Sequence, residues 1–169
     1  MTERFESLNF NDIQAVIDSW EALKRSSPDY EVEVGTVLFS ELFSKCPSSA
    51  LLFGFGVDVD TSRESLKKNS RFKRHAQYMI QMLDKALNLL GPDAELLAEI
   101  MGELGKKHVQ LGITDDTYYA VMGDALIQAL RELLGKSAFT IEMEEAWKVV
   151  YGALSGAMVA ELDSDEKNQ

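Results

Sequence analysis

Apolar residues recur along this chain at spacings of three and four, the separation that lines side chains up on one face of an α-helix. Ile13, Val16, Ile17, Trp20 and Leu23 trace one such face behind Asn9 or Asn11, either of which can cap the helix. Ser26-Ser27-Pro28-Asp29 breaks it. Val34, Val37, Leu38, Leu42 and Phe43 mark a second helix that ends at Cys46-Pro47, and Pro47 suits the first turn of a short third one. From Phe53 to Asn69 the period is lost in small and polar residues, which predicts a long irregular connection of the kind that often carries function. A long helix follows over about Ser70 to Leu90, carrying Phe72, His75, Ala76, Met79, Ile80, Leu83 and Leu87, and Gly91-Pro92-Asp93 stops it. Leu97, Met101, Leu104 and His108 place another helix over Ala94 to Val109. Tyr118, Val121, Met122, Ala125, Leu126, Ala129 and Leu133 place the next, from about Asp115 or Asp116 to Leu134, with Gly135 as its stop. Thr140 caps a last helix through about Leu162, with Trp147, Val150, Tyr151, Leu154 and Met158 inward, before a polar, frayed tail from Asp163 to Gln169.

No stretch alternates as a strand should, and only three prolines interrupt the chain, so the expectation is an all-α globule of seven or eight helices. The period is the 3.6 of packed helices, not the sustained 3.5 of a coiled coil. A length of 169 residues predicts a single domain, with its core over about residues 8–162. Lys and Arg number 17 against 28 Asp and Glu, a formal charge of −11. That surplus argues against nucleic acid or an anionic membrane as partner, because both demand a basic face. The lone cysteine, Cys46, rules out an intrachain disulfide and any multi-cysteine metal site, and points to a reducing compartment. A Cys46 to Cys46 link between two chains stays open. The start, Met1-Thr2-Glu3-Arg4-Phe5-Glu6, lacks a cationic segment leading into an apolar stretch, and no apolar run approaches ~20 residues, so a cytoplasmic protein is expected. Oligomeric state has no signature here.

Both histidines of the chain, His75 and His108, fall on otherwise apolar faces of two consecutive long helices. A neutral imidazole among Leu, Met and Phe loses hydration unless its nitrogens find partners. One reading is a backbone carbonyl for each. The other uses the pair: consecutive helices pack near one another and can present the two rings across a slot. Two imidazoles are too few for a closed zinc site, and no Glu stands three residues before either, since position 72 is Phe and position 105 is Gly. A metal held in its own macrocycle needs only one or two axial protein ligands, so haem fits. Phe39, Phe43, Phe53 and Phe55 cluster before the irregular segment and would wall a flat apolar cofactor, although they would also make an ordinary core.

Taken together, Trp20, Pro47 with Phe53 six residues on, His75, and Leu104 with His108 resemble the globin family over roughly Leu8 to Leu162. The resemblance implies a pocket for haem b, with Phe53 wedged against the haem, His75 distal and His108 the proximal iron ligand. Within the globins, the chain is most similar to the neuroglobin-like and single-domain microbial branches. The segments that carry this are Val37 to Phe43 with Gly35 at a helix crossing and Phe39 at the inner distal wall, Leu104 to His108 with Gly112-Ile113, Ala138-Phe139-Thr140, Ala146-Trp147 and Tyr151-Gly152-Ala153. It further implies that Leu104, Ile113, Tyr118 and Val121 are among the cofactor-binding residues. Met79 stands where a smaller Val is usual, which crowds the distal side, and Tyr78 replaces a Lys that often reaches a haem propionate. Lys106 and Lys107 are solvated or touch propionates, Lys107 being the better placed. Cys46 has no intrachain partner, so a thiol switch does not carry over.

In such a slot His108 Nε2 would bind iron and its Nδ1 would donate to a backbone carbonyl. His75 would either donate a hydrogen bond to a bound gas or occupy the sixth iron site itself. The functions implied are reversible binding of O2, CO or NO, or redox and nitric-oxide chemistry. Nitric-oxide dioxygenation or nitrite reduction would need a separate electron-donating reductase, since the chain has no flavin or nicotinamide domain. A haem-based sensor module is the remaining alternative.

Overall fold

The computed structural model describes residues 2–56 and 58–166. Among them are nine helices and no strand: α1 (Glu3–Glu6), α2 (Phe10–Ser26), α3 (Tyr30–Lys45), α4 (Ser49–Leu52), α5 (Arg63–Lys68), α6 (Ser70–Leu89), α7 (Ala94–Gln110), α8 (Thr117–Leu134) and α9 (Ile141–Glu166). Six of these follow the apolar periodicity closely. Asn9 caps α2 by accepting from the Asn11 amide, Asp93 caps α7 through the Leu96 amide, and Thr140 accepts from Met143 at the head of α9.

Three boundaries differ from expectation. The segment after Phe53 is not irregular throughout, because Ser62 accepts from the Ser65 amide and starts α5. Six residues are too few to show a period, and α5 buries a single large side chain, Leu66. Asn69 closes α5 and its side chain caps α6 through the Phe72 amide. The turn α1 is similarly short and is anchored by buried Phe5. At the other end α9 continues to Glu166, beyond the last inward residue, since helical hydrogen bonding does not require an apolar face. Residues 167–169 of the expected tail lie outside the described residues.

The helices pack in crossed pairs: α7 on α9, α3 on both α8 and α6, and α2 on α9. Two of these crossings depend on glycine. A Cβ at Gly35 of α3 would stand 2.7 Å from the Cβ of Ala76 on α6, and one at Gly105 of α7 would stand 2.6 Å from the Met158 carbonyl oxygen on α9. Both contacts bring backbones closer than a larger side chain permits. Two tryptophans tie α2 to its neighbours. Trp147 Nε1 of α9 donates to Ser19 Oγ at 2.9 Å, and Trp20 Nε1 donates to Asp84 Oδ1 of α6 at 2.9 Å. Lys24 Nζ donates to the same carboxylate at 2.8 Å. The core so closed runs from Phe5 and Val16 to Ala157 and Met158, and the histidine-bearing helices contribute Phe72, Ala76 and Ile80 of α6 and Leu97, Ala98 and Met101 of α7 to it.

No helix among the described residues is long and apolar enough to cross a membrane.

Candidate functional site

Phe39 and Phe43, one turn apart on α3, are buried and present their rings to the segment after α4. Phe53 meets Phe39 at 5.0 Å between centroids and Phe43 at 5.4 Å, both edge-on, and Phe55 meets Phe43 at 5.9 Å. Helix α6 adds Phe72, edge-on to Phe39 at 5.6 Å, and then His75. The His75 ring lies 4.8 Å from Phe53 and 5.6 Å from Phe39. The four phenylalanines expected to wall a cofactor are thus one contiguous cluster, with the His75 imidazole set against it. Apolar edge-to-face packing of this kind is rigid and holds the histidine ring in place.

His75 is nevertheless exposed as a residue, so one side of the ring rests on phenylalanine and the other faces open space. Neither of its nitrogens has a hydrogen-bond partner among the described residues. Desolvation by its surroundings holds its imidazole below the ordinary value.

His108, three residues after Gly105, is half-buried near the end of α7. Its Nδ1 lies 3.1 Å from the Tyr119 hydroxyl, and Nε2 has no partner among the described residues. The expected backbone carbonyl does not take Nδ1. Nδ1 is turned instead to the hydroxyl that Tyr119 brings from α8, while the His108 carbonyl accepts from the Leu111 and Ile113 amides in the turn that ends α7. Burial lowers the His108 imidazole, and the charge of protonated His75 lowers it further.

The remaining expected residues sort by position. Met79, Leu104, Ile113 and Val121 are partly buried and pack against the core. Tyr118 is half-buried, and Lys107 is exposed beside the Lys106–Glu103 ion pair. Tyr78 stands 58% exposed without a ring or hydrogen-bond partner among the described residues. Tyr119 was not among the expected residues, although it is buried and touches His108. Its signal was present in the spacing Tyr119, Met122, Leu126 and Leu130, which continues a helical stripe as well as Tyr118 does. Burial pushes its hydroxyl up to about 12, so it remains a neutral phenol at ordinary pH.

A groove of about 730 Å³ lies elsewhere, between α8 and α9, lined in part by Arg131, Glu144 and Lys148. It holds neither histidine. Among the described residues no cluster of three or more His, Cys, Asp or Glu side chains is arranged to hold a bare metal ion. His75 with neither nitrogen paired and His108 with Nε2 unpaired among the described residues, beside the phenylalanine wall, fit a metal that brings its own equatorial ligands, such as haem.

The α-helical fold thus carries single histidines on two consecutive helices, the first set against a phenylalanine cluster. A family model described as globin matches residues 36–158, and the chain belongs to the globin family. It is 29% identical over 153 residues to neuroglobin of Danio rerio, covering 90% of this chain and 91% of that one. Neuroglobin-2 of Oncorhynchus mykiss is likewise 29% identical over 153 residues. Among solved structures, a hexacoordinated heme protein from an anhydrobiotic tardigrade superposes with a TM-score of 0.78 at 21% identity, covering 93% of this chain and 96% of that one. The hexa-coordinate hemoglobin of Drosophila melanogaster gives 0.75 at 23% identity, covering 89% and 93%. These two superpositions establish the shared fold.

Proposed function

We propose that this globin holds haem b between α6 and α7, with His108 Nε2 as the proximal iron ligand and His75 on the distal side. The observation that carries the reading is the pair of imidazoles, one from each helix, of which His108 Nε2 and both His75 nitrogens have no partner among the described residues while phenylalanines pack against His75. When bound there, haem supplies an iron that takes O2, CO or NO reversibly. The chain's own contribution is positional. Phe39, Phe43 and Phe53 exclude water from the distal side, Met79 narrows it, and Gly105 lets α7 seat against α9 so that His108 is fixed in depth.

His75 is assigned as an intrinsic sixth ligand. Its ring already rests on Phe53 and Phe39 with both nitrogens unengaged, and the likeness to neuroglobins and to hexacoordinate haem proteins points the same way. An internal ligand competes with external ones: if about 1% of molecules were five-coordinate, the apparent dissociation constant for a gas would rise ~100-fold, near 2.7 kcal/mol. Such competition disfavours bulk oxygen storage. It favours redox or nitric-oxide chemistry, in which an electron-donating reductase is the partner, inside a reducing compartment such as the cytoplasm that the single thiol of Cys46 suits.

The test is the absorption spectrum of haem-loaded protein in ferric, ferrous and ferrous-CO forms, for wild type and His75→Leu. Sharp low-spin ferrous bands in wild type that give way to a five-coordinate spectrum in the variant are expected. A wild-type ferrous form already five-coordinate overturns the sixth-ligand assignment and leaves His75 as a hydrogen-bond donor to bound gas. Absence of any Soret band after reconstitution overturns haem binding.

A further inference from the structure

The proximal histidine is held by a phenol. Among the described residues the Tyr119 hydroxyl is the only hydrogen-bond partner of the His108 side chain, at 3.1 Å, with the two rings 5.7 Å apart and inclined by 62°. Tyr119 is itself immobilised. Its ring is 6% exposed, and its backbone carbonyl accepts a 2.7 Å hydrogen bond from the Tyr151 hydroxyl on α9. One residue of α8 therefore joins the end of α7 to the middle of α9.

The chemistry of this contact rests on the haem reading above. An imidazole that ligates iron through Nε2 carries its proton on Nδ1, so Nδ1–H is the donor and the phenol oxygen the acceptor. A phenol oxygen carries less negative charge than a carboxylate or an amide carbonyl and draws the Nδ1 proton less strongly. The ligand is consequently less imidazolate-like and less electron-donating than one bonded to either of those groups. We propose that Tyr119 is a positioning residue for the iron: it selects the Nδ1–H tautomer of His108, fixes the rotation of the ring, and keeps the ligand a weakly polarised neutral imidazole.

Tyr119→Phe removes the acceptor and keeps the ring. The iron–histidine stretching band is read by resonance Raman in the ferrous protein, in a His75→Leu background so that the iron is five-coordinate, alongside the ferric/ferrous midpoint potential. The expected result is full haem uptake, a downshifted and broadened iron–histidine band and a raised potential, with the CO stretching band, a distal reporter, unmoved. Unchanged band and potential in a variant that loads haem overturn the role of Tyr119 and leave haem binding intact. Failure of the wild type to load haem overturns both. Should Tyr119→Phe not fold, the His75→Leu chain made with 3-fluorotyrosine, a weaker phenol acceptor, replaces it. Of the five tyrosines only Tyr119 touches His108, so a smaller downshift of the same sign supports the proposal and no shift overturns it.

Discussion

Phe53 and His75 stand edge to face, 4.8 Å between centroids and 77° between planes, although they come from different elements and the chain passes through α5 between them. Such a pair contributes ~0.5–1.5 kcal/mol beyond the area it buries. In Phe53→Ala the His75 ring loses this support and samples more rotamers. The six-to-five-coordinate equilibrium constant of the ferrous protein is expected to fall by about the corresponding factor, several-fold, so that the five-coordinate fraction and the CO association rate after laser photolysis both rise. A rate no different from wild type would mean that Phe53 does not hold His75 in place.

Removing His108 tests the other side. His108→Gly should load haem poorly, and what haem it takes should be displaced or re-ligated by millimolar imidazole, which restores the missing Nε2. Soret absorbance titrated with imidazole gives the measurement. Full loading of the variant without added imidazole would contradict a proximal role.

Stability should depend on pH in a window set by the two histidines. Both imidazoles lie below their ordinary value of 6.5 in the fold, so the unfolded chain binds protons first as pH falls. More protons on the unfolded state means that stability rises with pH, and is lost as pH drops from about 6.5 toward the lowered folded values. His75 is open to solvent on one side, so most of the slope belongs to His108. Urea midpoints of the haem-free protein at pH 7.5 and 5.5 should differ, and His108→Phe should reduce the difference. Glu132 and Glu144, held low by Arg63 and Arg131, act in the same direction but only below their ordinary value of 4.5.

The helices were legible where their apolar faces were long enough to repeat, as in α6 with Phe72, Ala76, Ile80, Leu83 and Leu87. They were not legible in α1 and α5, whose four and six residues bury one large side chain each and are set by tertiary contact. The phenylalanine cluster and both histidines could be picked out because a polar ring on an apolar stripe is costly and stands out. The partner of His108 could not. Tyr118 and Tyr119 are adjacent, each compatible with the inward face of α8, and only the rotation of that helix against α7 decides which hydroxyl arrives. The expectation of a carbonyl failed for the same reason, since it looked along α7 alone and the hydroxyl that arrives comes from α8.

Asp84 accepts from both Trp20 Nε1 and Lys24 Nζ, and this arrangement separates two energies. Asp84→Asn keeps an acceptor for the indole and should cost under ~1 kcal/mol, the loss of a partly exposed ion pair. Asp84→Ala leaves the indole N–H unpaired and should cost ~1–3 kcal/mol. Equal losses in urea unfolding would show that the indole contact contributes nothing.

Ala76, the neighbour of His75 in sequence, is the residue against which Gly35 closes, with no room for even one added methyl group. Helix α6 therefore has a fulcrum one residue from its histidine. Sliding of α6 along its axis is blocked there, while tilting about that point is not, and a histidine so near the fulcrum travels little for a given tilt. On the proposed reading of His75 as a sixth ligand, its exchange for an external one would come mainly from rotation of its own side chain, with α6 left nearly where it stands.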